Sequence, residues 1–113
     1  MNISVIVPVL DEEKSIQATL HSLICLAPHE IIVVDGGSRD RTHAICGQFP
    51  IKLFSADRGR ARQMNHGASR ASGDVLLFLH ADTRLPASAL RDVATALSHS
   101  LYVGGRFDVE LGG

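Results

Sequence analysis

The sequence predicts an α/β domain built on an open, mostly parallel sheet. Continuous apolar segments rich in β-branched residues, such as 30–35, suit strands that are covered on both faces. Segments with apolar residues at helical spacing lie between them. Strands that alternate with helices at this spacing favour right-handed crossovers within one parallel sheet. The 113 residues suit a single domain over 1–113.

The first strand and helix are predicted from residues 3–24. Segment 3–10 is rich in Val and Ile and predicts a strand. Asp11 can cap the following helix, with Glu12 and Glu13 in its first turn, where the helix dipole favours negative charge. Apolar residues at positions 16, 20, 23 and 24 have helical spacing.

The second strand is predicted over 30–35, and Gly36 and Gly37 end it. Ser38 can cap a second helix that ends near Gly47. A short third strand over 51–56 completes this unit.

The second half of the chain continues the alternation. A third helix fits between Gly59 and Ser72, is stopped by Gly73, and leads into the apolar strand that begins at Val75. Segment 87–100 suits a fourth helix, and 102–111 suggests a last strand or hairpin arm.

Acidic residues follow three of the predicted strands. In open parallel sheets, ligands bind outside the carboxyl ends of the strands. Those ends are residues 8–12, 35–38, 56–59 and 80–83. Asp11 with Glu12, Asp35, and Asp82 should therefore converge at one edge. Each one alone is better explained as a turn former or helix cap, whereas their joint placement favours a polar ligand.

Four arginines lie in and just before the third predicted helix: positions 58, 60 and 62 at its start, and position 70 near its end. Guanidinium groups bind phosphate in a bidentate way, and a helix start adds backbone N–H donors. The alternative is a solvated helix face, which is the expected place of Arg70. Carboxylates together with arginines fit a nucleoside diphosphate held through Mg²⁺ or Mn²⁺.

Composition and missing motifs exclude several classes. The formal net charge is −1, so the chain has no overall positive charge that would attract nucleic acid. Dinucleotide-binding GxGxxG, P-loop and GxSxG motifs are absent from the sequence. No apolar run approaches the roughly 18 residues of a membrane span. Cys25 and Cys46 lack metal-ligand spacing, which favours reduced thiols and a cytoplasmic location.

Three segments resemble successive blocks of family 2 glycosyltransferases with the GT-A fold, a Rossmann-like open sheet. They are "SVIVPVLDEE", "EIIVVDGGSRDRT" and "GRARQMNHGASRASGDVLLFLHADTRLP". The segments "DGGSRD" and "FLHADT" are most similar to the bacterial subgroup called rSAM/selenodomain-associated glycosyltransferase-like proteins.

The resemblance implies a nucleotide-sugar donor, commonly a UDP or GDP sugar, and a divalent metal. Asp82 matches the last carboxylate of the family's DxD motif, and His80 stands at its first position, so both are expected metal ligands. The expected donor-binding residues are Pro8, Val9, Leu10, Glu12, Asp35, Gly36, Gly37, Arg62, Asn65, His80 and Ala81.

Two positions depart from the family pattern. His80 replaces the first Asp of DxD, which weakens the expectation of strict metal dependence. Gly36 replaces the second Asp of the usual "DDGS", so the base-contacting carboxylate of the family is missing.

The resemblance also implies an inverting transfer of the sugar to an unidentified acceptor. Family members continue beyond this segment into an acceptor-binding half with the catalytic base, so we expect 1–113 to be the N-terminal donor-binding part. A non-catalytic nucleotide-sugar-binding fragment is the alternative. A nucleotidyltransferase is a weaker one, because "PVLDEE" lacks the Gly and Lys of its phosphate loop. An exposed sheet edge would favour self-association.

Overall fold

A computed structural model describes residues 2–98 and 107–111, with side chains through residue 97. Strands and helices alternate along the chain: β1 Ile3–Val9, α1 Ile16–Leu26, β2 Glu30–Asp35, α2 Thr42–Cys46, β3 Lys52–Ser55, α3 Arg60–Arg70, β4 Val75–Leu79, α4 Ala89–Ser98 and β5 Phe107–Leu111. The strands form one sheet in the order β3-β2-β1-β4-β5. Every neighbouring pair is parallel, which confirms the predicted fold class.

The strand order places a topological switch point between β1 and β4. From β1 the chain proceeds outward to β2 and β3, and then returns to the other side of β1 to form β4. The crossovers on the two sides leave a crevice beyond the carboxyl ends of β1 and β4, which is where open α/β sheets bind ligands.

The central strands are buried on both faces, as their continuous apolar sequences predicted. All residues of β2 and β4 are buried. One face of the sheet packs against α1 and α4, through residues such as Leu20, Leu23 and Leu90. The other face packs against α3 through Met64 and Ala68. The sheet therefore has a hydrophobic layer on each side and needs no further cover at its centre.

Helix α3 approaches the sheet closely because residue 67 is glycine. A Cβ built on Gly67 would lie 2.6 Å from Cγ2 of Ile6 and 3.2 Å from Cγ2 of Val34. A side chain at this position would push the helix away from β1 and β2.

The first two helices begin later than predicted. Helix α1 starts at Ile16 after Ser15, so Asp11 is not its cap and its first turn carries no acidic residue. Likewise, α2 starts at Thr42 after Arg41, and Ser38 is not its cap, although the helix ends before Gly47 as predicted. In both cases the preceding loop residues hydrogen-bond to each other across the sheet edge instead of joining a helix.

The remaining elements agree with prediction to within a few residues. Strand β3 is shorter by one residue at each end than predicted. Helix α3 ends at Arg70, before Gly73, and a Cβ at Gly73 would lie 2.7 Å from the carbonyl oxygen of Asn2. The last strand occupies 107–111, and residues 102–106 of its predicted range lie outside the described residues. Among the described helices, none is both long and apolar enough to span a bilayer.

Candidate functional site

A cleft of about 320 Å³ lies at the switch point, beyond the ends of β1 and β4. The start of α3 forms its third wall. The lining residues are Pro8, Val9, Leu10, Glu12, Arg58, Gly59, Arg60, Gln63, His80 and Ala81. Six of the predicted donor-binding residues are therefore brought together in one cleft: Pro8, Val9, Leu10, Glu12, His80 and Ala81.

The loop after β1 is fastened to the loop after β2 by its backbone amides. Asp11 has a left-handed backbone, with φ of 53°, which Asp tolerates better than most residues. Its N–H donates to Oγ of Ser38 at 2.9 Å, and its Oδ1 accepts from the N–H of Arg39 at 2.8 Å. The N–H of Glu12 donates to Oγ1 of Thr42 at 2.7 Å. These bonds explain the late start of α1.

The two loops leave the Glu12 side chain on the cleft wall, whereas the Asp11 carboxylate is used within the loops. Burial raises the pKa of Glu12 above its ordinary value, and the negative charge of Asp82 raises it further, while His80 acts in the opposite direction. Glu12 and His80 line the same cleft, and Asp82 follows His80 by two residues.

Asp35, also predicted to contact the donor, is 3% exposed, and its carboxylate bonds to the loop that follows β2. Its Oδ1 accepts from the N–H of Gly37 at 3.1 Å and of Ser38 at 2.8 Å, and its Oδ2 lies 2.9 Å from Nδ1 of His43. Burial alone would raise the pKa of Asp35, but the hydrogen bonds from Ser38, His43 and Gly37 outweigh it and lower the pKa. Asp35, Gly36 and Gly37 are not among the residues that line the cleft.

The turn after β4 is anchored by its middle residue. Ala81 is 3% exposed, and its carbonyl oxygen accepts a hydrogen bond from Oγ1 of Thr19 at 2.6 Å. The N–H of Thr83 bonds to the carbonyl of His80 at 3.1 Å and closes the turn. His80 lines the cleft and Asp82 is exposed.

The His80 imidazole has a polar atom without a partner. Its Nε2 is buried and makes no hydrogen bond within the described structure. A buried polar atom in this state is costly unless a ligand satisfies it. In the described residues, no cluster of three His, Cys, Asp or Glu side chains is arranged to hold a metal. His80 and Asp82 offer an imidazole and an exposed carboxylate, two kinds of side chain that bind divalent metals.

The arginine-rich segment contributes two of its four arginines to the cleft. Arg58 and Arg60 line it, whereas Arg62 and Asn65 are exposed and do not. Arg70 is exposed and lies over the ring of Phe54, 5.3 Å from its centroid, which agrees with its expected place on the outer face.

Gln63 also lines the cleft, and sequence reasoning did not identify it. A glutamine belongs to no phosphate or metal motif. The available signal in the sequence was spacing: Gln63 lies four and eight residues before two small residues, Gly67 and Ala71. All three residues are buried, on one side of the segment. A polar residue on such a face indicates a buried hydrogen-bonding role.

Comparison with known proteins decides the family. Residues 4–112 match the family described as glycosyl transferase family 2. The chain belongs to glycosyltransferase family 2.

Two curated relatives of this family 2 chain carry the names of different glycosyltransferases. The dolichol-phosphate mannosyltransferase of Pyrococcus furiosus is 25% identical over 118 residues, which cover 95% of this chain and 34% of the relative. The PGL/p-HBAD biosynthesis glycosyltransferase of Mycobacterium bovis is 35% identical over 91 residues, covering 73% of this chain and 36% of the relative. The family 2 chain thus spans about a third of the length of these relatives.

Solved structures confirm the GT-A fold of the family 2 chain. The 1–349 chain of S. aureus TarS superposes with a TM-score of 0.77 at 28% identity, covering 87% of this chain and 32% of the TarS 1–349 chain. Glucosyl-3-phosphoglycerate synthase from Mycobacterium tuberculosis, crystallised with Mn²⁺, UDP and glucosyl-3-phosphoglycerate, gives a TM-score of 0.75 at 22% identity, over 88% of this chain and 40% of the synthase. At that identity the second match shows the fold alone.

Proposed function

We propose that this chain forms the donor-binding part of an inverting glycosyltransferase that uses a UDP or GDP sugar. The observation that carries the proposal is the cleft at the β1–β4 switch point of a family 2 chain, which has arginines on one wall and His80 on the other. Its volume of about 320 Å³ lies at the lower end of the range for small-molecule sites.

The chemistry of the two walls suits a nucleoside diphosphate. Arg58 and Arg60 supply planar guanidinium donors near the start of α3, where helix N–H groups also favour an anion. On the opposite wall, Nε2 of His80 lacks a partner. Asp82, two residues further along the chain, is exposed and is not among the residues that line the cleft. The acceptor oxygens of a diphosphate would bind these guanidinium groups, and a metal cation between the diphosphate and Asp82 would compensate the charge of that carboxylate.

A divalent metal, Mg²⁺ or Mn²⁺, is part of the proposal. Asp82 and His80 would hold it, and it would stabilise the negative charge that develops on the leaving diphosphate. An imidazole ligand favours Mn²⁺ over Mg²⁺, since Mg²⁺ prefers oxygen ligands. The synthase crystallised with Mn²⁺ and UDP supports this choice by fold. We assign no general base among the described residues.

The finer assignments are also proposals. Similarity of "DGGSRD" and "FLHADT" supports our proposal that the chain is a member of the rSAM/selenodomain-associated subgroup. Cys25 and Cys46 are both unpaired, which supports a cytoplasmic location. Five of the predicted donor-binding residues lie outside the cleft: Asp35, Gly36, Gly37, Arg62 and Asn65. A bound donor would contact them only if it extended beyond the cleft, over the loop after β2 and the outer side of α3.

Calorimetric titration with UDP and with GDP, each with and without Mn²⁺, tests the proposal. We expect one nucleotide to bind, and its Kd to rise about tenfold or more on removal of the metal or in Asp82→Ala, as loss of a charged contact predicts. Asp74→Ala is the matched control, because Asp74 is an exposed carboxylate just before the opposite end of the same strand.

The outcomes separate the candidate functions. Binding that needs neither the metal nor Asp82 would remove the metal site from the proposal. Absence of binding under every condition would refute the donor site. Binding without any sugar transfer or donor hydrolysis would favour the alternative, a domain that holds a nucleotide sugar without turnover.

A further inference from the structure

One buried side chain joins three structural elements at the cleft. Gln63 is 4% exposed, and its Nε2 donates hydrogen bonds to the carbonyl oxygens of Val9 and Val34, both at 2.9 Å. Its Oε1 accepts from the N–H of Gly59 at 3.2 Å. Both amide hydrogens and one acceptor position are therefore in use, and they connect the ends of β1 and β2 to the start of α3.

The Gln63 side chain takes the space that a side chain at position 36 would need. A Cβ built on Gly36 would lie 2.7 Å from Oε1 and 2.8 Å from Cδ of Gln63. The backbone of Gly36 is not in the left-handed region, whereas that of Gly37 is, with φ of 97° and open space around its Cβ position. A side chain at position 36 would therefore require the hydrogen-bonded Gln63 amide to move, whereas position 37 favours glycine through its backbone conformation.

We propose that Gln63 is the positioning residue of the cleft and that Gly36 is its obligatory complement. By binding Gly59, Gln63 fixes the wall that carries Arg58 and Arg60 relative to the end of β1. The inference rests on the proposed function in so far as that wall contacts a donor nucleotide. It also explains why the family's second Asp is missing at position 36: that side chain and the Gln63 amide would overlap.

The steric part is tested by a double-mutant cycle of thermal unfolding on Gly36→Ala, Gln63→Ala and the double variant. We expect Gly36→Ala to lower Tm clearly in the wild-type background and to have little effect once Gln63 is alanine. Gly37→Ala is the control, because its strain is independent of Gln63 and its loss should be equal in both backgrounds. An equal loss from Gly36→Ala in both backgrounds would overturn the pairing.

The positioning part is tested by amide hydrogen exchange, which needs no ligand. In Gln63→Ala, we expect the amides of Gly59 and residue 63 to exchange about tenfold faster, the change expected for losing buried hydrogen bonds. The amide of Ala71 at the other end of the helix should change little. Alanine has a higher intrinsic helix propensity than glutamine. Faster exchange at the start of α3 in Gln63→Ala would therefore not be caused by a loss of helix propensity. A uniform increase along the helix would reduce Gln63 to a general stabilising role and refute the proposal.

The same variants connect positioning to binding. If the wild-type chain binds a nucleotide, its Kd should rise about tenfold in Gln63→Ala, since misplacing a binding wall by about 1 Å is costly. Gln48→Ala, at an exposed position outside the cleft, is the control and should keep the wild-type Kd. An unchanged Kd in folded Gln63→Ala would overturn the role in binding. If the wild-type chain binds no nucleotide, the proposed function fails, and hydrogen exchange still decides whether Gln63 holds the wall.

Discussion

The buried carboxylate of Glu30 should make the stability of this chain depend strongly on pH below neutrality. Glu30 begins β2 at the edge of the sheet opposite the cleft and is 8% exposed. Its oxygens accept hydrogen bonds from Oγ of Ser4 at 2.5 Å, Nζ of Lys52 at 2.7 Å and the N–H of Ser72 at 2.6 Å. One carboxylate thus joins β1, β2, β3 and the loop before β4.

The magnitude follows from the pKa of this group. Burial alone would raise the pKa of Glu30, but the bonds from Lys52, Ser4 and Ser72 outweigh it and lower the pKa from 4.5 to about 2. A lowering of about 2.5 corresponds to roughly 3 kcal/mol of unfolding free energy at neutral pH. Lys52 is 55% exposed, so solvent screening reduces its share, and we expect about 2 to 3 kcal/mol.

The sign follows from the direction of the shift. Because the folded state holds the carboxylate ionised, the stabilisation is complete above pH 4.5 and is lost as the pH falls toward 2. Urea denaturation of the wild type and Glu30→Gln between pH 7 and pH 2 measures it. Between pH 7 and pH 2, the unfolding free energy of the wild type should fall by about 2 to 3 kcal/mol more than that of Glu30→Gln. The unfolding free energy of Lys52→Met should fall by less than that of the wild type. Parallel curves for wild type and Glu30→Gln would refute the reasoning.

Two further predictions concern packing and association. Gly67→Ala should lower the unfolding free energy by about 1 to 3 kcal/mol in urea denaturation, because its Cβ would meet Ile6 at 2.6 Å. Gly47→Ala, with its nearest contact at 3.6 Å and φ of −64°, should be neutral or slightly stabilising, and equal effects of the two variants would contradict the packing argument. Finally, the edge formed by β5 should promote self-association at high concentration, and a clean monomer in sedimentation velocity would count against it.

Much of the architecture could be predicted because it depends on local pattern. Continuous apolar runs identified β2 with its observed bounds, and the rule for open sheets placed the cleft at strand ends. The late start of α1 could not be predicted in the same way. It depends on Ser38 and Thr42, which lie 27 and 30 residues from their partners Asp11 and Glu12. Local capping rules carry no information about such partners.

The buried role of Gln63 was beyond sequence reasoning for a related reason. Its three hydrogen bonds involve backbone groups of Val9, Val34 and Gly59, and a backbone group leaves no trace in residue type. Only the fold shows that α3 crosses two strand ends at that position. The glycine at 36 was noticed as a departure from a family pattern, but its cause lies 27 positions away in the side chain of Gln63.

Asp35 and Asp82 show why an acidic residue near a strand end is ambiguous in sequence and distinct in structure. Asp35 is the last residue of its strand and is followed by a loop whose glycine, with φ of 97°, lets backbone N–H groups turn back onto the carboxylate. Asp82 lies three residues beyond the end of β4, after Ala81, which is held inward by Thr19. The Asp35 carboxylate therefore accepts hydrogen bonds from the backbone of its own loop, whereas Asp82 is exposed to solvent next to the cleft. The distance of a carboxylate from its strand, and the donors of the next turn, distinguish a loop-forming aspartate from one available to a ligand.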